Sequence, residues 1–565
     1  MRRAVTCCLA ACLMLAATVW AAPSARAADV ELVGMASMAS YDQMRENLDL
    51  VAEMAGRPGL GKGAEGMMMF VTGGQGLKGI DKSRPWGVLM GTDGHDVGGC
   101  LFFPVKDFKA LIAVVKQMSG DKLSDHGDGL WELEGPKQSV YVQETHPGWA
   151  FVVKDREVLE YVPANPAAML EGLNKRYDMA LRLYPARLPE HIRDDIAEKA
   201  EKHARKHAKH QPRWDQGDEG DREARRIMMR HIREQLCTLA GDLEVFTLGM
   251  KLDHDTKNWT MDVDLVCQEG SDSAEFLAHA ADTKTQFGAF RLRGATFNMR
   301  ATGRQVPLDS HELEEVLDIA RKKIHKKLER KLEKEDDLDD AMDLVDEALR
   351  VVRKTKAEGY DDQALSVRLD PDAITLLVGR FVEDGPALED VVKELVEELG
   401  ERCDKVDDYV TLDIETCEGV NLHRIEIPLE ECDCEKAENL QKLFGDRLTI
   451  VLGFGPKAAY VSAGVDAMQS LKRALRKSAE NADKNVPPVV AVFDLGQFAE
   501  SARHCPVEKV QAKGKRIAKQ LEKADGDDRA RLVVRARPNG LKARLTLQEG
   551  VLRAMATAKH RKSRD

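Results

Sequence analysis

Pairs of short segments with alternating hydrophobic residues recur along the chain, and this repetition constrains the fold more than any single motif. In the clearest pair, residues 244–253 and 259–267, hydrophobic residues alternate with polar or small ones on both sides of a polar turn. A period of two residues is typical of strands whose sheet buries one face. The next segment, residues 273–283, begins at Ser273, which can cap a helix. The pattern therefore predicts a β-hairpin followed by a helix.

The same hairpin pattern returns in both halves of the chain. Its further copies lie at residues 87–103, 140–153, 366–378, 410–427, 448–462 and 532–547. The last copy turns at Pro538-Asn539-Gly540, a strong hairpin signal. We therefore predict an α+β fold of repeated β-hairpin–helix units, in which helices pack on antiparallel sheets.

The order of these units indicates an internal duplication. Each half contains two hairpins, a lone strand, a charged helix and a final hairpin that ends in the triplet QEG. In this alignment Pro104 matches Pro428, and Trp149 matches Ala458. We predict two similar α+β halves, residues 28–300 and 301–565. The alternative is that hairpin–helix units simply recur in any α+β protein.

Two polar segments, residues 188–239 and 311–355, carry helical patterns longer than the rest. Their apolar residues recur at helical spacing, which suits long charged helices packed on a sheet or on each other. A helical arm that projects from the body is the alternative interpretation.

The N-terminus has the parts of a cleaved signal peptide. Arg2 and Arg3 precede an apolar run, and residues 25–27 (ARA) form a small-residue cleavage site. We therefore expect residues 1–27 to be removed and the mature protein to be periplasmic or extracellular. No later segment approaches the roughly 18 apolar residues of a membrane span, so we expect none in the mature chain.

Composition narrows the class of partner. The 565 residues are 43% hydrophobic and 5% aromatic, and the formal net charge is −12. This is the composition of a folded, water-soluble protein. An acidic chain repels phosphate backbones, so we expect no nucleic-acid partner. Partners expected from the sequence are a second copy or other envelope proteins, and no cofactor is indicated.

Eight cysteines remain after the predicted signal peptide. An even number in an exported chain is compatible with disulfides, and the local group that favours one or two bridges is Cys403, Cys417, Cys432 and Cys434. Cys432 and Cys434 are too close in sequence to bond to each other readily. They either belong to different bridges, which we favour, or bind a soft metal.

Three histidines form the most metal-like cluster in the sequence. His203, His207 and His210 are spaced by four and three residues, which places them on one helical face. Lysine and arginine residues surround them and would repel a cation. A solvated basic helix face is therefore the favoured alternative.

Other motifs are incomplete. Residues 56–63 (GRPGLGKG) resemble a phosphate-binding loop, but Gly63 replaces the magnesium-binding Ser or Thr and no strand is predicted before it. Ser462 lies in YVSAG, where a nucleophile elbow requires glycine in place of Tyr460. Residues 321–331 carry seven basic side chains, a pattern typical of a solvated helix or of an interface with an acidic face. A local anion-binding or membrane-surface patch is the alternative.

Several phrases are similar to an uncharacterised family of exported proteins from planctomycete bacteria. They lie at residues 40–60, 79–90, 102–112, 148–160 and 165–183, and include PWGVLM and GWAFVVKDREVLE. The resemblance covers most of the N-terminal half. It implies a shared fold and export, but no activity and no catalytic residues. The histidine-rich segment departs from the family pattern, so it is not expected to carry the common function.

No catalytic motif is complete, and this favours a non-enzymatic binding or structural component of the cell envelope. Two alternatives remain open. One is an extracytoplasmic hydrolase with a site between the halves, because clefts between domains are frequent ligand sites. The other is a carrier of lipid or another apolar ligand.

Overall fold

Hydrogen bonding between neighbouring strands joins twenty strands of the chain into one antiparallel sheet. The computed structural model describes residues 30–119, 122–135, 138–195, 219–332, 334–403, 405–431, 441, 443–505 and 507–558. The predicted α+β class with antiparallel pairing is confirmed.

Twenty strands are present in the described part of the chain. The first ten are β1 (Glu31–Met38), β2 (Trp86–Thr92), β3 (Val97–Pro104), β4 (Leu123–Asp125), β5 (Leu130–Leu133), β6 (Val140–His146), β7 (Trp149–Val153), β8 (Met179–Leu183), β9 (Leu243–Leu252) and β10 (Trp259–Cys267). The others are β11 (Phe297–Arg304), β12 (Tyr360–Leu369), β13 (Ile374–Phe381), β14 (Val410–Cys417), β15 (Val420–Pro428), β16 (Arg447–Gly455), β17 (Ala458–Gly464), β18 (Val489–Asp494), β19 (Arg529–Arg537) and β20 (Gly540–Leu547).

Helices connect most of these strands. Those before β11 are α1 (Tyr41–Met54), α2 (Leu60–Val71), α3 (Phe108–Ser119), α4 (Pro166–Met169), α5 (Leu173–Arg176), α6 (Glu219–Asp242) and α7 (Asp272–Ala278). Those after it are α8 (Ser310–Leu328), α9 (Glu335–Ala357), α10 (Gly385–Arg402), α11 (Lys405–Tyr409), α12 (Ala467–Ala479), α13 (Leu495–His504), α14 (Glu508–Leu521) and α15 (Glu549–Ala558). No helix within the described ranges is long and apolar enough to cross a membrane.

The strand order is the same in both halves when each is followed from its own outer edge. The N-terminal half runs from its outer edge as β4-β5-β6-β7-β3-β2-β1-β8-β9-β10. The C-terminal half runs from its outer edge as β14-β15-β16-β17-β13-β12-β11-β18-β19-β20. The halves meet where β10 pairs with β20, with Val263 opposite Ala543.

Two large hydrophobic cores lie on the sheet, one in each half. The first includes Phe102 and Phe151, which are fully buried, and the second is built around Phe287 and Leu471. These cores form because hydrophobic residues alternate along the strands, and every second side chain of a strand points to the same face of the sheet. Trp149, at the start of β7, is 4% exposed and packs edge-on against Phe102.

The strand order contradicts one match in the predicted alignment of the halves. Trp149 pairs with Pro104 in the first half, and Ala458 pairs with Phe381 in the second. Trp149 and Ala458 therefore occupy equivalent places, as expected, but the counterpart of Pro104 is Phe381. The match with Pro428 was wrong because the short hairpin β4–β5, which corresponds to β14–β15, was not predicted.

Other differences concern boundaries. Strand β11 spans residues 297–304, so a division at residue 300 cuts through a strand. The loop before β11 belongs with the C-terminal half, because Phe287 and Phe290 pack in the core of that half. Strand β1 was also not predicted. The segment 311–355 forms two helices, α8 and α9.

Candidate functional site

The main candidate site is a cleft in the C-terminal half, between helix α12 and the loop that precedes β11. Its volume is about 520 Å³, and strands β12 and β13 contribute to its lining. We call it the arginine cleft, and we define it by its six functional side chains. These are Arg291, Arg293, Arg368, Ser470, Arg473 and Lys477.

Helix α12 forms one wall. Its buried side includes Leu471 and Leu475, which join the core of the C-terminal half. Ser470, Arg473 and Lys477 follow one another at spacings of three and four residues, so they form one stripe along the helix. This stripe borders the cleft. An amphipathic pattern therefore fixes both the packing of the helix and the direction of its two basic side chains.

The loop wall is fixed by two hydrogen bonds to buried serines. The Ala289 N–H donates to Ser478 Oγ at 3.1 Å, and the Leu292 N–H donates to Ser366 Oγ at 3.0 Å. The Leu292 side chain is 6% exposed, whereas Arg291 and Arg293 on either side of it are exposed. The loop therefore presents two guanidinium groups around a buried anchor.

Arg368 of β12 is the most constrained cation of the cleft. Its Nε donates to Asp370 Oδ2 at 2.8 Å, and its Nη2 donates to Thr375 Oγ1 at 3.1 Å. The same Nη2 lies 3.0 Å from Asp466 Oδ2, just before helix α12. These carboxylates neutralise part of its charge and hold the guanidinium in place.

The other four basic side chains have no such partners. Arg291, Arg293, Arg473 and Lys477 form no side-chain hydrogen bond or ion pair with any residue that the structure describes. Elsewhere in the chain many surface cations are paired, as Arg321 is with Asp346. In a chain of net charge −12, unpaired cations around one cleft attract an anion.

The lining limits the chemistry of the cleft. No histidine, cysteine, aspartate or glutamate is among its lining residues. Ser470 offers a hydroxyl, but in the described structure its Oγ forms no hydrogen bond with another lining side chain that could act as its general base. Arginine binds carboxylate and phosphate groups with two parallel hydrogen bonds. The arrangement is therefore suited to anion binding.

The corresponding connection in the N-terminal half is built differently. There the connection from β7 to β8 contains α4 and α5, and Leu170 and Leu173 lie in the first core with 0% and 1% exposure. In the C-terminal half the connection from β17 to β18 is α12. The two connections therefore differ in the helices that they contain.

A second polar cluster lies beside the edge strand β14. Ligand atoms of Glu389, Asp413 and His423 lie within 4.8 Å of one another, close enough to hold a metal ion. However, Lys393 Nζ is 2.8 Å from Glu389 Oε1 and 2.9 Å from Asp413 Oδ1. An ammonium group thus already occupies the position between the carboxylates.

The imidazole of His423 also opposes metal binding. Its Nδ1 accepts a hydrogen bond from the Asp413 N–H at 3.1 Å, so the proton of the neutral ring lies on Nε2. Nε2 points toward Glu389, at 3.5 Å from Oε1. Burial lowers the pKa of His423, although both carboxylates oppose this, so the ring is neutral near pH 7. With a proton on Nε2, no lone pair is directed at the cluster.

His423 therefore has a structural role. Strand β14 departs from regular pairing between Thr411 and Glu415, and Asp413 has a φ of 50°. The backbone N–H of this irregular residue is satisfied by the buried imidazole. The cluster stabilises the irregular backbone of the edge strand β14. This irregularity also makes the edge of the sheet a poor template for pairing with further strands.

The predicted metal and disulfide residues are placed as follows. His203, His207 and His210 lie outside the described residues, as do Cys432, Cys434 and the predicted signal peptide. Cys403 is exposed and Cys417 is buried, and neither is joined to another described cysteine. The histidine site and the bridges to Cys432 or Cys434 remain predictions.

The glycine-rich segment and the serine of the incomplete motifs lie within ordinary secondary-structure elements and their connections. Residues 56–63 comprise most of the connection after helix α1 and the first turn of helix α2, so no strand precedes this glycine-rich segment. Ser462 is a fully buried residue within β17 and donates a hydrogen bond to the Leu376 carbonyl at 3.1 Å. Neither segment has the geometry that its motif requires.

No protein-family model, no curated protein and no solved structure matches this chain. The resemblance to exported planctomycete proteins therefore stays a prediction.

Proposed function

We propose that the protein is an exported, non-enzymatic component of the cell envelope that binds an anionic ligand in the arginine cleft. The observation that carries the proposal is the convergence of four unpaired basic side chains on one cleft of about 520 Å³. This volume lies within the roughly 300–1,000 Å³ of small-molecule sites. Arg368, held in place by two carboxylates, adds a fixed donor.

The two alternatives from the sequence receive less support. A carrier of apolar ligands needs a dry, apolar cavity, whereas the arginine cleft is open to solvent and bordered by charged groups. A hydrolase needs a nucleophile with an adjacent base, and the lining offers Ser470 without one. Anion binding uses the side chains that are present.

Isothermal titration calorimetry of the chain without residues 1–27 tests the proposal. We expect inorganic phosphate or sulfate to bind, and we expect binding to weaken as salt is added, because exposed charges are screened. Replacing both Arg473 and Lys477 by glutamine should weaken binding at least tenfold. The matched control replaces Arg516 and Lys519 of α14, which are also exposed. Equal weakening by both double variants, or no binding of either anion, would refute the proposal.

We also propose that the two halves arose by duplication. The shared strand order supports this, and so does the register at the centre of the sheet. Val263 and Ala543 pair directly, and each precedes its QEG triplet by the same number of residues. Equivalent residues can pair in this way only around a two-fold axis. Structure determination of the two halves, each expressed separately, tests the proposal. Halves of common origin should each fold with the same strand order.

A further inference from the structure

The arginine cleft has two basic walls that come from separate parts of the chain. Arg291 and Arg293 extend from the loop before β11, and Arg473 and Lys477 from helix α12. From this arrangement we infer that the natural ligand carries at least two anionic groups, one held by each wall. The inference rests on the proposed anion-binding function and specifies the class of ligand.

Each wall can hold one anionic group by itself. Arg473 and Lys477 are one helical turn apart, and residues at this spacing can contact the same group. On the loop, the buried Leu292 separates the two arginines and fixes the backbone between them through Ser366. Because both walls are anchored to the core, their backbones are fixed, and only the exposed side chains can move toward a bound group.

Charge balance also favours more than one anionic group. Five basic residues border the cleft, and Asp370 and Asp466 pair with one of them, Arg368. The two carboxylates leave an excess of three positive charges. A single phosphate carries less than two negative charges at pH 7 and would fill only part of a cleft of about 520 Å³. Two or more linked phosphate or sulfate groups match both the charge and the space.

Condensed phosphates of increasing length are suitable probes, because they add anionic groups without adding other chemistry. Calorimetry would compare inorganic phosphate, pyrophosphate and tripolyphosphate on the chain without residues 1–27. We expect tripolyphosphate to bind at least tenfold more tightly than phosphate. Linking two anionic groups makes the second contact intramolecular, which is the physical reason for the gain.

Variants of each wall test whether both are engaged together. The loop variant is R291Q with R293Q, and the helix variant is R473Q with K477Q. Each should abolish the advantage of tripolyphosphate over phosphate, while R516Q with K519Q on α14 should preserve it. Unchanged melting temperatures, and recovery of affinity in R473K, would show that the variants remain folded and that charge at this place is what matters.

The outcomes separate this inference from the proposed function. If phosphate binds in the cleft but no longer probe binds more tightly, the two-group ligand is refuted and anion binding stands. If only one wall affects the affinity for tripolyphosphate, the two-group ligand is again refuted. If no probe binds to the wild-type chain, both proposals fail.

Discussion

Replacing Asp262 with asparagine should destabilise the junction between the two halves. Asp262 lies on β10 at 1% exposure, and Arg544 of β20 donates to both of its oxygens at 2.7 Å. Lys542 Nζ and Tyr177 Oη lie 3.0 Å from Oδ2. Burial alone raises the pKa of Asp262, but the hydrogen bonds from Arg544 and Lys542 outweigh it and lower the pKa to about 2.

The pKa shift sets the expected magnitude. A decrease from 3.8 to about 2 corresponds to about 2 kcal/mol of stabilisation by the charged carboxylate. Loss of one partner in a fully buried pair costs about 3–5 kcal/mol. The side chain of Arg544 is 54% exposed, so water can solvate it when its partner is lost. We therefore expect D262N to lower the free energy of unfolding by about 2 kcal/mol at pH 7.

The pH dependence has a definite sign. Because the pKa is lower in the folded protein, the stabilisation is fully present above the unfolded pKa of 3.8 and disappears as the pH falls toward 2. Urea unfolding at several pH values, followed by tryptophan fluorescence, would measure it, since Trp259 lies on the same strand. The difference between wild type and D262N should shrink below pH 4.

A matched control separates burial from ion pairing itself. Glu314 and Arg353 also form a pair with two parallel hydrogen bonds, at 2.6 and 2.7 Å, but both side chains are 47% exposed. E314Q should leave the unfolding midpoint unchanged, because exposed ion pairs contribute little. Equal midpoint shifts in the two variants, or a D262N effect that does not change with pH, would refute the reasoning.

Three further predictions concern single sites in the described structure. H423A should destabilise the fold by about 1–3 kcal/mol in urea unfolding, because it removes a fully buried side chain that accepts from the Asp413 N–H, and H423N should recover much of this loss by supplying an acceptor. The lowered pKa of His423 should also make wild-type stability fall as the pH drops below 6.5, a component that H423N lacks. G385A should unfold at much lower urea than wild type, because its Cβ would lie 1.8 Å from a backbone oxygen, whereas G63A, with open space around it, should stabilise by about 1 kcal/mol. In native-state alkylation followed by mass spectrometry, exposed Cys237 should react, whereas Cys100, whose pKa burial raises to about 12, should react only after unfolding. Alkylation of Cys100 at the rate of Cys237 would contradict the packing of β3.

Local patterns account for the part of the fold that the sequence predicts. A hairpin such as β9–β10 is visible because its two strands and its turn are adjacent in sequence. The same reasoning misses β1, whose partners β2 and β8 are distant in the chain, and β4, which has three residues. Too few residues alternate in a strand of that length to produce a recognisable pattern.

The arginine cleft could not be predicted for a related reason. Its cations come from the loop before β11, from β12 and from α12, which are far apart in sequence. In isolation, Arg473 and Lys477 have the pattern of a solvated helix face, which is the commoner case. Only the packing of α12 against the loop shows that they face other cations without acidic partners. The histidine and cysteine clusters were visible because their members are close in sequence.

The charges at the centre of the sheet explain why the two proposed copies must differ there. Asp262 and Asp264 of β10 lie opposite Arg544 and Lys542 of β20. If both strands kept the sequence of β10, this antiparallel register would place aspartates opposite aspartates, which is destabilising. If both kept that of β20, lysine and arginine would repel in the same way. Acidic residues on one copy and basic residues on the other make the junction of β10 with β20 favourable. The same difference disfavours pairing between two N-terminal halves or between two C-terminal halves.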